Sequence, residues 1–154
     1  MMAKSIDQQI KDATAKKVVG RTTKIYKAVV LELYKRITAN SLQVGLAYGS
    51  PVLTGRCYAS HTVARGRIDT NVREPNPDGN ESPYPGLPLT NAAAVLLGFR
   101  LGETTYIANS LPYAQLLEEG HSRFKAPEGI YGVVAEQVAQ QFKGSTKITL
   151  SGTP

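Results

Sequence analysis

The chain has 154 residues, a single cysteine and a formal charge of +6, with a pI near 9.5. Its length fits one domain that buries about two-thirds of the unfolded surface, and 42% hydrophobic with 19% charged residues excludes a wholly disordered chain. No apolar run approaches the roughly 18 residues of a spanning helix, and Cys57 alone excludes an internal disulfide or a zinc site built mainly from thiolates.

Lys4 is followed by no apolar segment of secretory length, so no export signal is expected, and the protein is expected to stay in the cytoplasm where it is made. Through residue 36 there are nine bases against three acids, so the whole formal excess of +6 lies in that stretch. Apolar residues at Val18, Ile25, Val29, Leu33 and Ile37, with a second row at Tyr26, Val30 and Tyr34, predict a long amphipathic helix from about Ser5 to Thr38. Its bases read as spread around the helix, which favours a solvated face or an acidic protein interface over contact with DNA.

Asn40, Ser41 and Gly45 stop the helix, and Pro51 forces Ser50 out of helical angles. Thr54 is placed to cap one or two turns over Gly55 to Ser60, and Thr62 to Ile68 alternates as a strand. Between Asn71 and Thr90 fall five of the nine prolines, which predicts a long loop or arm pinned by a neighbour. Asn91 then caps a short helix to Leu97, a strand covers Thr104 to Ala108, and Pro112 to Glu119 forms a two-turn helix closed by Gly120. A last helix from about Pro127 to Phe142 presents Ile130, Val134, Val138 and Phe142 on one stripe, with Glu128 near its positive end. Residues 144–154 read as a polar tail. The expected fold is a single α+β domain over residues 1–143, with helices on one face of a small antiparallel sheet.

Chemistry-bearing patterns are sparse. Glu118 and Glu119 are adjacent on a helix and point about 100° apart, too far to converge on one bond. His61 and His121 lack a spacing that puts two ligands on one face, so no metal is expected. Cys57 follows Arg56 but sits beside Tyr58 and Ala59, in the manner of a small buried hydrophobe. Gly20-Arg21-Thr22-Thr23 lacks the Gly-Lys-Ser/Thr triplet and first glycine of a phosphate loop, and no aromatic module for base stacking is present. No catalytic residue, cofactor or metal ligand is assigned, and no enzyme is expected.

Three short segments carry a resemblance. Pro51-Val52-Leu53-Thr54-Gly55-Arg56, Asn109-Ser110-Leu111-Pro112-Tyr113-Ala114-Gln115-Leu116-Leu117-Glu118-Glu119-Gly120 and Ala126-Pro127-Glu128-Gly129-Ile130 occur in that order. Together they resemble the signature of the neck or tail-completion proteins of tailed bacteriophages, the family similar to lambda minor tail protein Z. Leu53 stands where that family often has Asp, Cys57 where it often has Leu, and the stretch from Asn71 to Thr90 is longer than usual. The resemblance implies a structural virion protein made in the host cytoplasm, forming a homo-oligomeric ring of six or twelve copies where head meets tail. Its implied partners are neighbouring neck, tail-terminator or connector proteins, and genomic DNA passing through the lumen, with no membrane. The residues it singles out, Pro51, Thr54, Gly55, Arg56, Asn109, Pro112, Tyr113, Ala114, Glu118, Gly120, Pro127 and Gly129, are mostly of types that cap, turn or allow close backbone approach, which fits a scaffold. Ring closure needs a heterologous contact, and the arm from Asn71 to Thr90 and the tail after Gly144 are expected to embrace neighbours. The alternative is a basic protein that binds nucleic-acid phosphates without reading sequence.

Overall fold

The computed structural model describes residues 5–39, 56–72, 87–121 and 126–143. The first helix, α1, spans Ile6–Ile37; the Ser5 side chain caps it by accepting from the Gln8 amide at 3.2 Å, and Asp7 in the first turn with Lys35 and Arg36 in the last match its dipole. The two apolar rows seen in the sequence serve two cores. Val29 and Ile37, flanked by Ile25 and Leu33, pack with Cys57, Leu111, Ala126, Ile130, Val134 and Val138. Val30 and Tyr34, flanked by Tyr26, pack with Val63, Ala92, Leu96 and Phe99. Ile107 touches both clusters, so α1 is the wall between them.

Helix α2 is the single turn Arg56–Ala59, and it leads into strand β1, His61–Arg65, which pairs antiparallel with β2, Thr105–Asn109. The register sets His61 opposite Asn109 and Arg65 opposite Thr105. The strand expected to reach Ile68 stops at Arg65, because Gly66 turns the chain with φ 74°, a left-handed angle that ends pairing. A two-stranded sheet is marginal alone, so its stability comes from the helices packed on it.

Helix α3 spans Leu87–Leu97, starting four residues before the Asn91 cap expected from the sequence. Pro88 falls in its first turn, where the missing N–H would have no helical partner anyway, so proline there opens a helix instead of blocking it. Of the expected proline-rich loop, residues 73–86 lie outside the described residues, as does the tail from 144. Helix α4 is shorter than expected, Ala114–Glu118, with Pro112 and Tyr113 in the turn before it. Helix α5 begins at Tyr131, not Pro127, and runs to Gln141, because Gly129 takes a left-handed φ of 87° that no helix can include. Phe142, the end of its predicted stripe, is half-buried against the first core.

Side-chain ties hold these parts in register. Tyr26 stacks on Phe99 with centroids 4.2 Å apart, and its hydroxyl accepts from the Thr105 amide at 3.2 Å. Arg65 donates to the Gly98 carbonyl and, at 2.9 Å, to Glu103, joining the end of β1 to the end of α3. Arg36 reaches from α1 to Gln137 and Gln141 on α5 at 3.3 and 2.6 Å while pairing with Glu32.

One part of the fold has no packing. Every residue from Ser5 to Thr22 is exposed, including Ile6, Ile10, Val18 and Val19. The first half of α1 therefore projects from the domain, and Val18, expected on the buried stripe, is 58% exposed. Among the described residues no helix is long and apolar enough to cross a membrane.

Candidate functional site

The described members of the resemblance segments meet at one end of the domain, around α4 and the entry to α5. Glu118, at the end of α4, turns its carboxylate onto the start of α5. One oxygen accepts from the Ile130 and Tyr131 amides and the other from the Gly132 amide, each at 2.8 Å. Three amide groups that α5 cannot satisfy internally are thus held by one anion at the positive end of its dipole. This is the role expected of Glu128; Glu128 is exposed, and Ile130 at the cap position offers no side-chain bond. No periodic pattern signals this contact, because the carboxylate and its amides are 12 to 14 residues apart.

The glycines make that clasp possible. A Cβ on Gly129 would lie 2.5 Å from the Glu118 carbonyl oxygen, and one on Gly120 would lie 2.5 Å from the Pro127 carbonyl oxygen. Both residues also have left-handed φ, 87° and 77°. Each backbone segment presses on the other's glycine, and only a hydrogen at Cα allows that approach. Gly120 ends α4 as predicted, with its amide bonded to the Leu117 carbonyl.

Asn109, at the end of β2, does two jobs. Its amide nitrogen donates to the Cys57 carbonyl at 2.9 Å, and its side-chain oxygen accepts from the Leu111 amide at 3.2 Å. A side-chain amide carries its donor and its acceptor on separate atoms, so Asn109 ties α2 to the turn that carries Pro112. Tyr113 and Ala114 pack partly buried against the first core, and Leu111 beside them is buried. Arg56 is half-buried, its Nε without a partner among the described residues. Pro51, Thr54 and Gly55 lie outside the described residues.

Next to the clasp is a polar cluster that sequence reading did not assemble. The His61 Nδ1 and the Tyr131 hydroxyl share a hydrogen bond at 2.7 Å, the Tyr34 hydroxyl donates to the His61 carbonyl at 2.8 Å, and Asn109 Nδ2 is 3.5 Å from His61 Nδ1 and 3.6 Å from the Cys57 sulfur. A thiol, an imidazole and an amide in one place have the composition of a nucleophilic site, but the electrostatics oppose one. Burial pushes the Cys57 thiol up to about 11, against a smaller lowering by Asn109, and burial pulls His61 down to about 3. Burial also raises the Tyr131 phenol. At pH 7 all three are neutral, with about one Cys57 in ten thousand as thiolate. An activated cysteine needs the opposite shifts. In these neutral forms the cluster satisfies buried polar groups and fixes the ring of His61.

His121 is exposed at the other side of Gly120, where its ring meets the Leu116 carbonyl at 3.1 Å. No group of three or more His, Cys, Asp or Glu able to hold a metal ion occurs among the described residues.

The fold and this site define a small α+β scaffold in which the distinctive residues shape the chain. No protein-family model, curated protein or solved structure matches it.

Proposed function

We propose that the chain is a non-enzymatic structural subunit of a tailed-phage particle, a ring-forming neck or tail-completion protein that helps join head to tail. The observation that carries this reading is the projecting half of α1. Ala15, Val18, Val19 and Thr22 continue the stripe that Ile25, Val29, Leu33 and Ile37 bury further along, yet are themselves exposed. An isolated helix of that length, with Gly20, Thr22 and Thr23 within it, is marginal in water. Its stripe matches a surface of another protein, and a second copy offset around a ring is the economical partner. The clasp residues support the reading, since Asn109, Glu118, Gly120 and Gly129 act on backbone and leave no reacting atom poised.

Mass measurement on the purified protein tests assembly: a closed oligomer is expected, reverting to monomer in Val18→Asp/Val19→Asp without loss of thermal stability. In lysates of a phage that lacks the protein, electron microscopy should show filled heads and finished tails lying apart. A monomer at every concentration, with normally joined particles in that lysate, would refute the proposal.

A further inference from the structure

The bases of α1 are not spread once they are placed on the helix. At about 100° per residue, Lys16, Lys17, Arg21, Lys24, Lys27 and Lys35 fall within an arc of about 140°. That arc is centred opposite the apolar stripe of Val18, Ile25, Val29 and Ile37, while Lys11 and Arg36 lie outside it. The acids of the helix, Asp7, Asp12 and Glu32, lie outside it too, and Glu32 is occupied by Arg36. Lys16, Lys17, Arg21, Lys24 and Lys35 are exposed with no ion pair among the described residues, whereas Lys27 donates to the Leu97 carbonyl at 3.3 Å. The result is a basic edge about 28 Å long at 1.5 Å per residue: Lys16, Lys17, Arg21 and Lys24 form its open run, and Lys35 follows beyond the point where Leu31 packs on the second core and Lys27 is held by Leu97.

We propose that this edge is a binding site for the phosphate backbone of double-stranded DNA, with Lys16, Lys17, Arg21, Lys24 and Lys35 as the contacts. A duplex carries about one charge per 1.7 Å of axis, so a rod of this length lying against it meets more phosphates than it has bases. The site reads no sequence, because its lysines and single arginine carry donors only and meet phosphates as charges, and no Asn or Gln lies in the arc between Lys16 and Lys35 to pair a donor and an acceptor with a base edge. Single strands fit less well: Tyr26 is stacked on Phe99 and Tyr34 is buried, so no aromatic of α1 is free to stack a base. A membrane surface fits less well again, since Ile6 and Ile10 lie on the basic side and Val18 and Val19 on the other, and no single apolar face exists to enter lipid. The site does not depend on ring formation, because every contact comes from one copy.

The test is fluorescence anisotropy with a DNA duplex of arbitrary sequence over a salt series, run beside mass measurement of the same samples. For five contacts per copy the log–log salt slope is about −4.5, a loss of about 500-fold in affinity between about 50 and 200 mM salt. Lys17→Gln/Arg21→Gln/Lys24→Gln should bring the slope to about −1.8, while Arg67→Gln/Arg100→Gln, two exposed bases off α1, should leave it unchanged. Circular dichroism of each variant excludes misfolding as the cause. Absence of binding at low salt, an unchanged slope in the triple variant, or preference for anionic vesicles over duplex would each overturn the proposal. Monomeric wild-type protein that binds duplex as described would sink the ring and leave this site standing.

Discussion

Replacing Glu118 by alanine removes the acceptor of three backbone amides at once and leaves the entry to α5 without a cap. The bonds are short, at 2.8 Å, and reach from one anion to Ile130, Tyr131 and Gly132, so each is charge-assisted. Loss of a cap costs about 1 kcal/mol, and loss of the anion from partly buried amides adds about 1 to 2 more, giving roughly 2 to 3 kcal/mol in total. For a chain of this size that lowers the melting temperature by about 5 to 10 °C. Glu118→Gln keeps one oxygen able to serve Ile130 and Tyr131 and should cost about 1 kcal/mol. Gly129→Ala places a methyl 2.5 Å from the Glu118 carbonyl at a left-handed φ, and it should destabilise at least as much as Glu118→Ala. Because both changes open the same clasp, the double variant should lose less than the sum of the two. Urea unfolding followed by circular dichroism reads all four. A Glu118→Ala midpoint equal to that of the wild type would refute the clasp as a source of stability.

His61 predicts a pH dependence. Its folded value, about 3, lies below the ordinary 6.5, so the unfolded chain takes up a proton that the folded chain refuses between those limits. Stability is full above pH 6.5 and falls by about 1.4 kcal/mol per pH unit toward pH 3, and in His61→Gln that part of the slope between pH 4 and 6 should vanish. Cys57, buried and with its thiol raised to about 11, should resist alkylation in the native protein at pH 8 and react at once in denaturant; rapid native labelling would contradict its burial. Limited trypsin digestion of dilute protein should cut after Lys16, Lys17 and Arg21 before it cuts after Arg36 or Arg65 in the packed part of the fold, and assembly should protect the first three sites; cleavage first after Arg36 or Arg65 would contradict the projecting helix.

The elements whose signal is local were legible in the sequence. Val29, Leu33 and Ile37 beside Val30 and Tyr34 spelled out α1 and its two apolar rows; that the rows serve two separate cores emerges only from the packed structure. Boundaries failed where a single residue has two uses. Pro88 reads as a breaker until its place in a first turn is known, and Gly129 reads as a helix residue until its left-handed φ excludes it. The work of the clasp residues was hidden: nothing in the spacing of Glu118 and Ile130 says that a carboxylate crosses a turn to cap the next helix. The His61–Tyr131 bond joins residues 70 apart, and no short-range pattern encodes it.

The two proposals use opposite sides of α1. Copies packed by the Val18 face point their basic edges away from one another, with the thickness of both helices between them, so repulsion screened over about 8 to 10 Å does little to oppose that packing. Each copy then keeps its edge open to a duplex, and the salt slope of duplex binding is set by the phosphates each edge meets. Replacing lysines of the edge by glutamine should weaken duplex binding and leave the oligomer as it was. A helix that served only as a solvated arm would show neither the oligomer nor the salt slope, and one that served only as a contact between copies would show the oligomer without the slope.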